Sequence, residues 1–173
     1  HTGMSFGGSA VPAAENAFRD CDCMLAVGAR FGEIATGSFA VKVPEKLIHV
    51  DINPRVLNAN YPARVAIESD ARIAMKALWT ELKTREKPKN ERADISFQIG
   101  RDKADYYSEW AEHDSGDRVN PYLFFKSLRE QLADDDIMVV DDGNHTFLAA
   151  ELMPIHTSKH FISPTDFNCM GYC

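Results

Sequence analysis

Cys23–Gly37, CMLAVGARFGEIATG, holds the first residues whose types and spacing suit chemistry. Met24–Val27 is a short apolar run that stops at Gly28 and opens into small residues with one cation, Arg30. A second apolar run, Leu47–Ile52 (LIHVDI), carries an acid, Asp51, near its tip. If both runs are buried strands ending side by side, they form a nucleotide crevice. Bare backbone N–H groups and a guanidinium would take phosphate, and the carboxylate would accept from ribose hydroxyls. Thr36-Gly37 adds a hydroxyl and more bare backbone. The loop reads VGARFG rather than G-x-G-x-x-G, and a glycine is also a simple way for a strand to leave a sheet. Spacing therefore leaves two readings open: a nucleotide site, or a structural turn with a surface cation and a capping acid.

Gly143-Asn144-His145 is the second cluster. It follows the apolar run Ile137–Val140 (IMVV) and precedes TFLAAELM, which reads as a helix. A helix N-terminus beyond a strand's carboxyl end presents free N–H groups to anions, and Asn and neutral His can both donate to a phosphate oxygen. The same residues also read as a cap by Asn144 with His145 an ordinary first-turn residue. His49 and His156 lie in or beside apolar runs and read as packing histidines. The four cysteines fall as Cys21-x-Cys23 and Cys169-x₃-Cys173, neither with zinc-knuckle spacing, so no metal site is expected. There is no H-E-x-x-H, no P-loop and no Ser/His/Asp ordering, which removes support for a hydrolase or an NTPase.

The elements that position these clusters alternate in type. Ser9–Arg19 reads as a helix capped by Ser9, with Ala10, Ala13, Ala14, Ala17 and Phe18 as its stripe. Cys23–Val27 and Leu47–Val50 read as strands of a parallel sheet, Asn53-Pro54 as the start of a short helix to Asn60, and Ala63–Ile67 as a third strand. Ser69-Asp70 caps an amphipathic helix whose Ile73, Ala77, Leu78 and Leu82 are spaced to face a core. Thr84–Arg92 is a polar linker. Asp102–His113 brings Tyr106, Tyr107 and Trp110 to one helix face, Asn120-Pro121 opens the next helix, and His160–Ser163 is a final strand before the Phe167–Tyr172 turn. This rhythm predicts an α/β fold, a doubly wound parallel sheet followed by the start of a second α/β domain. We divide it into residues 1–85, a linker and helix over 86–117, and 118–173.

With 173 residues, 45% hydrophobic and 26% charged, the chain has globular composition. A net charge of −7 disfavours nucleic acid, and no apolar run is long enough to span a bilayer. No secretory signal is visible, so a cytoplasmic protein without disulfides is expected. The chain opens on HTGMSF and closes on NCMGYC, and both ends read as cut.

The order AVGARF…TG, LIHVDINP, then ESDA before a long helix resembles the central domain of thiamine-diphosphate enzymes of the acetolactate synthase type. NPYLFFKSL, IMVVDDGNHTF and NCMGY are similar to the opening of the domain that follows it in that family. The resemblance covers essentially the whole chain in one order. It implies that Gly143, Asn144 and His145 contact the cofactor's diphosphate. It implies too that Asn168, Cys169 and Met170, before Gly171, hold the aminopyrimidine, with Met170 as the apolar wedge that bends the cofactor. Asn168 stands where the family usually has glycine. Bent in this way, the cofactor forms an ylid that attacks a 2-keto acid. In the central domain it implies a crevice for FAD or ADP over Gly28, Ala29 and Arg30, with Asp51, Ile52, Asp70 and Ala71 nearby and Gly3, Met4 and Ser5 as a further contact. Gly32 and Ile34 replace the acid and arginine usual for the flavin-binding pattern, so FAD, ADP or an empty crevice all stay open. The activating glutamate and the GDG…N motif for Mg²⁺ lie outside this sequence. The resemblance thus implies a fragment with no catalytic residue or metal ligand of its own, inactive alone, from a homo-oligomeric carboligase or decarboxylase. A non-catalytic ADP- or FAD-binding module, or a dimerisation piece, is the alternative.

Overall fold

The computed structural model of the chain describes residues 10–19, 21–86, 95–164 and 168–173. The proposed cap Ser9, most of the predicted linker and Phe167 lie outside these residues. The chain divides into two compact units, residues 15–95 and residues 96–173 with 10–14. α1 (Pro12–Arg19) precedes β1 (Met24–Val27), and Ala13 and Ala14 are buried, as the small-residue stripe predicts.

In the first unit β1, β2 (Leu47–Asp51) and β3 (Val65–Glu68) form a sheet in that order, parallel throughout. Met24 pairs with Leu47 and Val27 with Val50, while Ile48 pairs with Val65 and Asp51 with Glu68. Alternation along β1 sends Met24 and Ala26 into a cluster with Phe31 and Leu47, against which Phe18 and Tyr61 pack. Leu25 and Val27 point to the other face and are exposed. α2 (Ala71–Lys83) starts where Asp70 accepts from the N–H groups of Arg72 and Ile73 at 2.9 and 3.1 Å, the predicted cap.

Two expectations change here. Residues 54–60 form successive turns rather than a helix: Asp51 and Asn53 each accept from the N–H two residues on, and Asn58 takes a φ of 61°. The short polar side chains compete with helical bonding along the segment. No residue of α2 is buried, and Ile73, Leu78 and Leu82 are exposed instead of facing a core. β3 is exposed along its whole length, so the helix that follows it has little apolar sheet surface to cover.

The second unit contains α3 (Ile95–Glu112), α4 (Pro121–Gln131), β4 (Met138–Val139), α5 (Asn144–Leu152) and β5 (Phe161–Ile162). β4 and β5 pair in parallel around α5, a strand–helix–strand crossover. Phe125, Val140, Ala149, Leu152 and Met153 form its core, and Tyr106, Tyr107 and Trp110 of α3 pack on it as their spacing predicts. Asn120 caps α4: its Oδ1 accepts from Leu123 N–H at 3.2 Å, while its Nδ2 donates to the carbonyls of Trp110 and His113. The α/β class and the parallel strands with alternating helices are borne out.

Candidate functional site

Gly28, Asp51 and Asp70 all stand at the carboxyl end of the three-stranded sheet. Gly28 continues the ladder, donating its N–H to the Val50 carbonyl at 2.9 Å with a φ of 65°, and Ser69 N–H donates to the Asp51 carbonyl at 3.0 Å. The structure thus brings three of the predicted crevice stretches to one sheet edge, with Arg30 exposed in the loop after Gly28 and Ile52 exposed beyond Asp51. Gly3, Met4 and Ser5 lie outside the described residues.

The loop after Gly28 is held by residues that the sequence motifs did not single out. His49 is buried on β2, and its Nε2–H donates to the Ala29 carbonyl at 2.8 Å. Asn60 Nδ2 donates to the carbonyls of Arg30 and Phe31 at 3.3 and 2.9 Å, and the Phe31 ring packs edge-to-face with His49 and at a tilt against Tyr61. Phe31 takes a φ of 50°, a left-handed conformation that these contacts hold in place. His49 is therefore a packing histidine with one structural bond, its Nδ1 left without a partner among the described residues. Nothing in the spacing announces Asn60, because it acts on carbonyls thirty positions earlier in the chain.

Two side chains of this edge are partly spent on the backbone. One Asp51 oxygen accepts from Asn53 N–H at 2.8 Å, and Asp70 caps α2. The Thr36 hydroxyl does not face the crevice as expected. It is buried, donates to the Gly32 carbonyl at 2.8 Å and accepts from Phe39 N–H, closing the loop on itself.

In the second unit, Gly143 occupies the cap position of α5 and Asn144 is its first residue, so Asn144 is not the cap. Gly143 has a φ of 150° and makes no side-chain cap bond. In the first turn Thr146 N–H donates to the Gly143 carbonyl at 3.0 Å, and the side chains of Asn144 and His145 are exposed. Further along the chain, Asn168 and Gly171 take φ values of 51° and 84°, and between them Cys169 and Met170 are exposed, Met170 by 82%.

Asp141, at the end of β4, joins these two stretches. Its Oδ2 accepts from Gly171 N–H at 2.8 Å, and its Oδ1 accepts from Tyr172 N–H at 3.0 Å and Asp142 N–H at 2.8 Å. Those backbone bonds, Tyr172 foremost, hold its carboxyl below the usual carboxylate range, with the nearby His145 adding to the effect. The sequence signal was present: Asp141 is an acid at the tip of an apolar run, as Asp51 is.

His156, read as a packing residue, is exposed and lines a cavity of about 920 Å³ with Tyr106, Tyr107, Glu151, Met153 and Phe161. Among the described residues, none of the predicted site residues lines that cavity. Burial raises Glu151 above the ordinary glutamate value, and burial followed by the charge of Tyr122 raises Tyr107. Among the described residues no group of three or more His, Cys, Asp or Glu side chains is placed to hold a metal ion. No helix among them is long and apolar enough to cross a membrane.

Residues 1–78 match the family model described as thiamine pyrophosphate enzyme, central domain. Over those residues the chain is similar to the central domain of thiamine pyrophosphate enzymes. It is also similar to the acetolactate synthase isozyme 2 large subunit of Escherichia coli (strain K12), 28% identical over 161 residues, covering 92% of this chain and 28% of that protein. It is 32% identical to the acetolactate synthase large subunit of Porphyra purpurea over 164 residues, 92% of this chain and 27% of that one. With the mitochondrial acetolactate synthase catalytic subunit of Saccharomyces cerevisiae it shares 26% identity over 172 residues, 92% and 24%. The chain spans about a quarter of the length of these relatives. The central-domain match covers the whole Gly28–Asp51–Asp70 edge, while α5 lies after it.

Proposed function

We propose that this chain is part of a thiamine-diphosphate-dependent carboligase or decarboxylase acting on 2-keto acids, inactive by itself. The observation that carries this reading is the Asp141 junction. It sets the N-terminus of α5, with Asn144 and His145, beside the exposed Asn168–Met170 turn. These residues suit the cofactor. The N–H groups of Asn144 and His145 at the helix start, with their two side-chain donors, would take the diphosphate, and Met170 offers an apolar surface beside them. When bound, thiamine diphosphate supplies an electron sink for breaking and making the bond next to a carbonyl. Mg²⁺ belongs with the diphosphate, its ligands to come from elsewhere in the parent protein. The chain's own residues would bind and orient, not transfer protons. Titrating the labelled chain with thiamine diphosphate and Mg²⁺ should shift the amide signals of residues 143–145 and 168–172. Shifts scattered elsewhere, or none at millimolar cofactor, would sink the reading.

The Gly28–Asp51–Asp70 edge supports a second ligand, ADP or FAD, laid across the strand ends with Arg30 toward phosphate. Calorimetry should show Arg30→Ala weakening either ligand by roughly tenfold or more, the scale of one charged hydrogen bond. If neither ligand binds the unaltered chain, the edge is structural. A homo-oligomer suits the exposed apolar face of Leu25, Val27, Val65 and Ile67, because parallel sheets are covered on both faces in assembled proteins. None of the four cysteines is in a disulfide, which suits a reducing cytoplasm.

A further inference from the structure

We propose that Asp141 is a positioning residue for the thiamine diphosphate site, its carboxylate fixing the Gly171–Tyr172 turn against the start of α5; this rests on the cofactor reading above. Asp141 is anchored on both sides. Its carbonyl accepts from the hydroxyl of buried Thr146, in the first turn of α5, so its main chain moves with that helix. Its two carboxylate oxygens reach N–H groups thirty and thirty-one positions away, at 2.8 and 3.0 Å. The turn it grips contains two left-handed residues, Asn168 and Gly171, and projects Cys169 and Met170 outward. Such a turn leaves consecutive N–H groups that need an acceptor, and a carboxylate serves two at once. The carboxylate is consumed by the backbone and touches no substrate. What it sets is the gap between the diphosphate donors at residues 143–145 and the wedge at Met170.

The test compares Asp141→Asn, which keeps one acceptor oxygen, and Asp141→Ala with the unaltered chain. Amide hydrogen exchange is read at Gly171 and Tyr172, with the core amide of Met153, bonded to the Ala149 carbonyl, as control. The cofactor is thiamine diphosphate with Mg²⁺, followed by amide shifts. Expected is faster exchange at Gly171 and Tyr172 in the order Ala, then Asn, with Met153 unchanged. Cofactor affinity should fall in the same order, by roughly ten- to hundredfold in Asp141→Ala, the loss expected for charged hydrogen bonds. Faster exchange with unchanged cofactor affinity would overturn the positioning role while leaving the cofactor reading intact. Unchanged exchange would overturn the latch itself. An unaltered chain with protected Gly171 and Tyr172 amides but no cofactor response would overturn both.

Discussion

Gly143 stands where β4 gives way to α5, with a φ of 150° that side chains rarely adopt. A Cβ added there would lie 2.9 Å from Cε1 of the His145 ring. The ring can swing away, so the larger cost is the backbone, about 1–3 kcal/mol for a residue held in a sparsely populated region. Gly143→Ala should lower the unfolding free energy by that amount, read as a lower urea midpoint, and displace His145, which a shift of its ring protons would show. An unchanged midpoint would mean that the cap relaxes without cost. Glu151 makes the opposite kind of statement. Burial raises its pKa in the folded chain, so the folded state holds the proton more tightly than the unfolded one. Stability is therefore lost as pH rises from the ordinary glutamate value through the raised one, and the loss is complete above it. Glu151→Gln should stabilise the chain at neutral pH, the gain shrinking to nothing as pH falls below the ordinary glutamate range. Urea melts of both proteins at pH 7 and pH 4 decide it, and a gain that persists in acid would place the cause elsewhere.

Elements show where local rules suffice and where they stop. Asn120-Pro121 was legible because capping is local: one Asn, a Pro at the first helical position and an N–H three residues on. The two Nδ2 bonds to Trp110 and His113 were not legible, since they depend on where α3 ends in space. The two roles separate by substitution. Asn120→Asp keeps the cap but loses the donors to two carbonyls, whereas Asn120→Ala loses both. Melting should rank Asn above Asp above Ala, with the Ala variant about 2 kcal/mol down, a cap plus a buried polar loss. The strands were legible from their apolar runs, and their common carboxyl edge from the acid and glycine at their ends. The helix expected over 54–60 failed because Asn53 and Asp51 bond their own neighbourhood. The core face expected of α2 failed for another reason: periodicity gives a face but not the surface that covers it. Leu82→Lys accordingly should change stability by less than about 0.5 kcal/mol, a surface value, against the 2–5 kcal/mol of a large core truncation. A loss in the core range would show that the helix is covered in solution.

At the scale of the molecule, each unit has a core of its own. The Met24–Leu47 cluster and the Phe125–Met153 cluster share no residue. Chance has put one tryptophan in each, exposed Trp79 on α2 and half-buried Trp110 on α3. The second core is fed by α3, α4 and α5 and includes three aromatic pairs among Tyr106, Tyr107, Trp110 and Tyr122, one stacked, one edge-packed and one tilted. The first rests on a three-stranded sheet with one face open, a smaller apolar area removed from water per residue ordered. We expect the sheet unit to unfold first. In Trp110→Phe the fluorescence of Trp79 should report an early urea transition, and in Trp79→Phe that of Trp110 a later one, so the two curves should not superimpose. Coincident curves would mean one cooperative block. ADP added to Trp110→Phe should move only the early transition upward if the crevice at Gly28, Asp51 and Asp70 binds it, because a ligand stabilises the unit it occupies.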